Sequence, residues 1–195
     1  MLPLVYFVRH GQTDWNAEHR LQGQADVALN ALGRSQASRN GRKLAELIAD
    51  PADFDFVASP LGRTRETMEL VRVAMGLEAE GYRTDPRLKE VHFGDWQGHT
   101  LAELDQLTPG ATAARALDKW HFVPPGAHGE SYAMLYGRTK PWFGELLRPT
   151  VCVTHGGIFR VLFRMAGHKP EKEAAALDVA QDRVLRFEAG KLEWL

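Results

Sequence analysis

Cysteine is almost missing from this chain: Cys152 is the only one in 195 residues. A lone cysteine excludes an internal disulfide and a multi-cysteine zinc site, and makes a reducing compartment the default. Its setting, Val151-Cys152-Val153, suits a small core residue better than a reactive thiol. Long apolar runs are missing too, since none approaches the roughly 20 residues that a membrane-crossing helix needs. Residues 1–8 lack a basic start and a small-residue cleavage site, so no signal peptide is expected and the cytoplasm is the expected location. Net charge is only -1, which removes any global pull toward nucleic acid or an acidic membrane. Any preference for anions must then come from arginines gathered locally. Internal repeats and low-complexity runs are absent. What is present is ordinary for a globular protein, 44% hydrophobic and 25% charged, at a length that suits one domain, 1–195, with room for an insertion.

The informative stretch comes early. Leu4-Val5-Tyr6-Phe7-Val8 has the apolar continuity of a buried strand, and it runs directly into Arg9-His10-Gly11. In open α/β sheets, ligand crevices lie where strands end. An imidazole there, beside a guanidinium and before a glycine that admits close approach, suits a nucleophile facing an anion. The tripeptide alone would equally fit a solvated strand end.

The same geometry recurs twice. After a helix expected over residues 31–49, capped by Asn30 with Leu32, Ala37, Leu44, Leu47 and Ile48 as its buried stripe, Phe54-Asp55-Phe56-Val57-Ala58 reads as a second strand. It leads into Ser59-Pro60-Leu61-Gly62-Arg63, with Ser59 expected as helix cap and Pro60 in the first turn. A helix start offers free amides and a positive dipole end to an anion. Arg34, Arg39, Arg42 and Lys43 read as a solvated face. Further on, Thr150-Val151-Cys152-Val153-Thr154 reads as a buried strand delivered into His155-Gly156-Gly157, with a helix expected from Ile158 to about Met165. Short strands are expected near Tyr82, around Val184-Leu185 and around Leu192, the last two paired antiparallel through a turn at Gly190. Residues 100–147 show broken helical patterning around Thr108-Pro109-Gly110 and Pro124-Pro125-Gly126, which suits a helical lid over the crevice. Trp120, Phe122, Tyr132, Tyr136 and Trp142 are expected as core aromatics of that lid. The spacing of His92 and His99 matches no standard metal pattern, so no metal is expected.

Arg9-His10-Gly11-Gln12-Thr13-Asp14-Trp15-Asn16 resembles the signature of the histidine phosphatase superfamily, the phosphoglycerate-mutase-like enzymes in which the histidine is transiently phosphorylated. The resemblance extends to Ser59-Pro60-Leu61 with Arg63, to Glu90 before Phe93-Gly94, and to His155-Gly156. It implies an α/β fold: a three-layer sandwich with a mostly parallel central sheet flanked by helices, plus a helical lid insertion at about 100–147. It also implies that His10 is the nucleophile, that Arg9, Arg63, His155 and Asn16 hold phosphate oxygens, that Glu90 is the proton donor, and that Gln22, Gly23 and Gly156 lie near the phosphate. The run Gly126-Ala127-His128-Gly129-Glu130-Ser131 departs from the family, whose tight Pro-Gly-Gly-Glu-Ser segment is lengthened here by Ala127 and His128.

Phosphoryl transfer needs an in-line nucleophile and positive charge around the equatorial oxygens, and arginine forks supply the latter without a metal or other cofactor. The expected activity is therefore metal-independent hydrolysis of a small phosphomonoester, with a homodimer conceivable through an exposed edge strand and no nucleic-acid or membrane partner. Phosphoglycerate mutase, a phosphohistidine protein phosphatase and a non-catalytic phospho-ligand module are the competing readings. The shortness of the chain and the Gln22-Gly23 pair favour hydrolysis over mutase action.

Overall fold

The structure, a computed structural model, describes residues 2–167 and 169–195. In chain order its elements are β1 (Val5–Arg9), α1 (Asp14–Ala17), α2 (Ala31–Leu47), β2 (Asp55–Ala58), α3 (Gly62–Ala74), β3 (Arg83–Thr84), α4 (Leu101–Leu107) and α5 (Ala113–Leu117). There follow α6 (Tyr132–Gly144), β4 (Thr150–Thr154), α7 (Gly156–Met165), α8 (Glu171–Ala176), β5 (Val184–Glu188) and β6 (Lys191–Trp194). The six strands form one sheet in the order β3-β2-β4-β1-β5-β6. The first four are mutually parallel, β5 runs antiparallel to β1, and β6 runs antiparallel to β5.

Strand alternation builds the three layers. Val5 and Phe7 of β1 face one side, with Val57, Cys152, Leu185 and Phe187, and meet Leu135, Trp142, Ile158 and Phe159 of α6 and α7. Tyr6 and Val8 face the other, with Phe56, Val151 and Val153, and meet Leu44 of α2 and Met68 and Val71 of α3. Cys152 is fully buried in the first layer, and burial pushes its thiol far up, as a core role requires.

Several sequence expectations shift by a turn or a face. The buried face of α2 excludes Leu32, which is 48% exposed, and includes Gln36 and Asn40. Those two polar residues are buried because they are bonded: Gln36 accepts from the Gln12 amide and Asn40 donates to the Gln181 carbonyl. Ser59 does not cap α3, which starts at Gly62 with Leu61 at the cap position. The cap comes instead from Asp26 in the loop between α1 and α2, whose carboxylate accepts from the Gly62 amide at 3.0 Å. α7 starts at Gly156 and not at Ile158, so both glycines lie in its first turn.

Of the stretch 100–147 expected as lid, only part stands outside the sandwich. α6 belongs to a main layer, because Leu135 and Trp142 are buried against the sheet and the Trp142 ring meets Phe7 edge-on at 6.4 Å. α4, with Leu104 as its buried residue, and α5, with none, form the outer part, while Trp120 stacks on Tyr132 inside the main cluster. Among the described residues no helix is long and apolar enough to cross a membrane.

Candidate active site

Parallel pairing brings the ends of β1, β4 and β2 to one edge. The His10 amide donates to the Thr154 carbonyl at 2.9 Å and the Ser59 amide to the Val153 carbonyl at 3.0 Å. His10, His155 and Ser59 are thereby the first residues past three adjacent strands, which places the two imidazoles 5.2 Å apart, centre to centre.

The hydrogen bonds fix the tautomers. His10 Nδ1 lies 2.8 Å from the Gly11 carbonyl, which only accepts, so Nδ1 carries the hydrogen and Nε2 keeps its lone pair. Arg63 Nε donates to that lone pair at 3.3 Å. Arg63 Nη2 lies 3.3 Å from His155 Nδ1, which must accept, so His155 Nε2 is the nitrogen that donates to Ser59 Oγ at 2.8 Å. Burial, followed by the charges of Arg63 and Arg9, holds His10 well below its ordinary value of 6.5. His155 is depressed the same way, by burial and then by Arg63. Both rings are neutral at pH 7.

Arg63 is fully buried and donates to the carbonyls of Gly23 and Ala25, each at 2.7 Å. Burial lowers it to about 10, and Glu90 and Asp26 act against that shift, so it stays charged at neutral pH. Arg9 is brought to about 10 by burial and by Arg160; its Nη1 donates to the Val179 carbonyl, and its Nε is buried without a partner. The Glu90 carboxylate lies across from these cations. Its oxygens accept from the Gly157 amide at 3.1 and 3.0 Å and from the Val91 amide at 2.8 Å. The absence of a side chain at Gly157 permits this, because a Cβ there would sit 2.0 Å from Glu90 Oε1.

The remaining sequence candidates join the same place. Gln22 is 6% exposed, and both polar atoms of its amide are buried without a hydrogen-bond partner among the described residues. Asn16 sits in the first turn of α1, where its Oδ1 accepts from the Thr13 amide and from Gln181 Nε2, so the free edge of its amide is the donor. Gly156 opens α7 beneath the guanidiniums of Arg9 and Arg160. His92 and His99 lie outside this cluster, and Asp95 is exposed. Glu103 is spent on the capping box of α4 and on Arg20. Among the described residues no three His, Cys, Asp or Glu side chains stand close enough to share a metal ion.

Sequence reasoning missed three supports. Ser59 orients His155. Gln181 donates to the His10 carbonyl and to Asn16 from 171 residues away in sequence. Arg138, with Gln24, holds the Glu90 backbone carbonyl, and Arg138 is itself paired with Glu130. Ser59 stands in the Ser-Pro-Leu run but reads there as a helix cap; nothing local marks Gln181 or Arg138.

Residues 5–195 match the histidine phosphatase superfamily (branch 1). Glucosyl-3-phosphoglycerate phosphatase of Mycobacterium tuberculosis is 38% identical over 171 residues, covering 81% of this chain and 72% of that one. Phosphoglycerate mutase-like protein 4 of Arabidopsis thaliana is 34% identical, covering 96% and 81%. Among solved structures, the mycobacterial glucosyl-3-phosphoglycerate phosphatase complexed with VO3 superposes with a TM-score of 0.79 at 31% identity, covering 98% of this chain and 96% of that one. The chain belongs to the histidine phosphatase superfamily.

Proposed function

We propose that the protein hydrolyses a small phosphorylated metabolite, without a metal ion, through a phosphohistidine on His10. The observation that carries this reading is the unprotonated Nε2 of a buried, neutral imidazole beside two guanidiniums, its lone pair held in the resting site only by the 3.3 Å bond from Arg63 Nε. In the first step Nε2 attacks phosphorus, the N–P bond forms and the ester P–O bond breaks, while the Glu90 carboxyl gives its proton to the departing alkoxide. In the second, Glu90 takes a proton from water as the water attacks phosphorus and the N–P bond breaks, releasing inorganic phosphate. Arg9, Arg63, the Asn16 amide and Gln22 surround the transferred group, with Gly23 and Gly156 letting backbone approach it, and their preorganised charge supplies most of the acceleration. His155 donates to Ser59 in the resting site and meets a phosphate oxygen only if its proton moves to Nδ1.

Phosphatases among the relatives act, by name, on glucosyl-3-phosphoglycerate, which fits a small substrate bearing sugar and acid groups. We further read α4 and α5 as a lid that favours small substrates over proteins, the setting as cytoplasmic, and the free edge of β6 as the surface for a homodimer. The test is release of inorganic phosphate from a panel of phosphomonoesters with chelator present, together with acid-labile, base-stable labelling of the protein in single turnover. Wild-type protein should show both and His10→Ala neither. Full activity in His10→Ala, or strict metal dependence, would overturn the mechanism, and net conversion of 3-phosphoglycerate without phosphate release would point to a mutase.

A further inference from the structure

The run lengthened by Ala127 and His128, with Pro125 just before it, packs on the backbone that follows Glu90. The Asp95 amide donates to the Pro125 carbonyl at 2.8 Å, and the Glu130 amide donates to the His92 carbonyl at 2.8 Å. The approach leaves no room for side chains: a Cβ on Gly94 would lie 2.0 Å from the Pro125 carbonyl oxygen, and one on Gly126 would lie 2.1 Å from Asp95 Oδ1. Ala127 and His128 form the exposed tip, where His128 turns the chain at a φ of 66°.

Glu130 closes this contact with its side chain as well. Its Oε2 accepts from the His92 amide at 3.0 Å, and its carboxylate takes the Arg138 guanidinium at two points, Nε to Oε1 at 2.9 Å and Nη2 to Oε2 at 3.0 Å. A forked pair fixes the plane of the arginine. Arg138 then turns its other bonds to the backbone of the acid segment, Nη1 to the Arg87 carbonyl at 2.7 Å and Nη2 to the Glu90 carbonyl at 2.9 Å. Residues 89–93 belong to no helix or strand, so their polar groups must find partners outside a ladder. One ion pair supplies them on both sides of Glu90. Arg138 itself lies on α6, which packs against the sheet, so the fork ties the Glu90 backbone to the core. The backbone so held sets where the Glu90 carboxylate stands against the Gly157 amide, which it meets at 3.0 Å.

We propose that Arg138 and Glu130 are positioning residues for the proton donor: together they hold the Glu90 backbone where its carboxyl meets the departing oxygen, so the lengthened run serves the acid and not the phosphate. This rests on Glu90 as the proton donor in transfer to His10. A shift of about 1 Å in such a group costs on the order of 10² in rate, and only where the leaving group needs the proton.

The experiment compares kcat/KM on glycerol 3-phosphate, whose alkoxide needs protonation, with kcat/KM on p-nitrophenyl phosphate, whose phenolate does not. This parameter covers the steps through transfer to His10, so hydrolysis of the phosphohistidine does not enter it. Arg138→Gln should lose about 10–10²-fold on glycerol 3-phosphate and less than about threefold on p-nitrophenyl phosphate. Arg138→Lys keeps the charge but not the fork and should show the same skew. Glu130→Gln leaves one acceptor for the guanidinium and should show a smaller skew in the same direction. The double variant Arg138→Gln/Glu130→Gln should lose no more than Arg138→Gln alone, because the two act as one unit. A lowered folded fraction scales both substrates alike and leaves their ratio unmoved, which separates positioning from stability; if Arg138→Gln does not fold, Glu130→Gln decides. Equal losses on the two substrates, with the skew present in Glu90→Gln, overturn the positioning role and leave the hydrolase reading standing. Absence of the skew in Glu90→Gln overturns the proposal through the reading on which it rests.

Discussion

Arg63 Nε points its hydrogen at His10 Nε2 across 3.3 Å, so the atom that attacks phosphorus and a donor that holds a phosphate oxygen are already in register before substrate arrives. The same guanidinium spans His155 Nδ1 and the carbonyls of Gly23 and Ala25. A lysine keeps the charge but cannot serve four acceptors in a fixed plane. Arg63→Lys should therefore lower kcat by about 10²–10³, the usual loss for one preorganised donor. It should also cost roughly 1–3 kcal/mol of stability from the stranded carbonyls, measured by urea unfolding.

Glu90 meets its site through the Gly157 amide, which contacts both carboxylate oxygens. Glu90→Gln preserves the shape and removes the transferable proton. Its effect should depend on the leaving group: a loss of about 10²–10⁴ on alkyl phosphates, which need protonation, and a much smaller one on p-nitrophenyl phosphate, which does not. Equal losses on both substrates would argue that Glu90 only positions the site.

How much of this was legible beforehand follows from where each side chain comes from. Val5-Tyr6-Phe7-Val8 and Val151-Cys152-Val153 announce buried strands, and His10, Arg63 and His155 stand just past strand ends in sequence, so the catalytic cluster could be read from local pattern plus resemblance. Ser59 reads as a cap because Ser-Pro commonly starts a helix; in the structure its hydroxyl accepts from His155, and Asp26 caps from another loop. Gln181 and Arg138 left no trace, since each reaches the site from a distant segment and lies on no periodic pattern. The breaks at Thr108-Pro109-Gly110 and Pro124-Pro125-Gly126 make residues 100–147 read as one insertion, and only packing shows that α6 lies against the sheet.

Gly11 and Gly33 pack backbone on backbone. A Cβ on Gly11 would lie 2.2 Å from the Gly33 carbonyl oxygen, and one on Gly33 would lie 2.1 Å from that of Gln12. Neither contact can be relieved by turning a side chain, so α2 must move off the catalytic loop. Gly33→Ala should cost about 1–3 kcal/mol in chemical unfolding, as overpacking does. It should also slow turnover, although residue 33 touches no substrate, because Gln12 and His10 shift with the loop. A fully stable, fully active variant would show that this approach is dispensable.

The two buried imidazoles set the response to acid. In the unfolded chain each takes up a proton near pH 6.5, but burial and the neighbouring arginines push both well below that in the folded state. Below pH 6.5 the unfolded chain therefore binds more protons, and by linkage stability falls as pH falls; above 6.5 both states carry neutral rings and these groups contribute no slope. The urea midpoint should be level from pH 7 to 8 so far as these histidines are concerned and drop between about 6.5 and 5. His155→Gln should drop less, having one fewer proton to gain. Turnover should follow a different course from a free imidazole: because His10 stays neutral well under pH 6.5, the acid limb of kcat at saturating substrate belongs below that value. A limb centred at 6.5 would mean that His10 is solvated and unperturbed, contrary to its burial between Arg9 and Arg63.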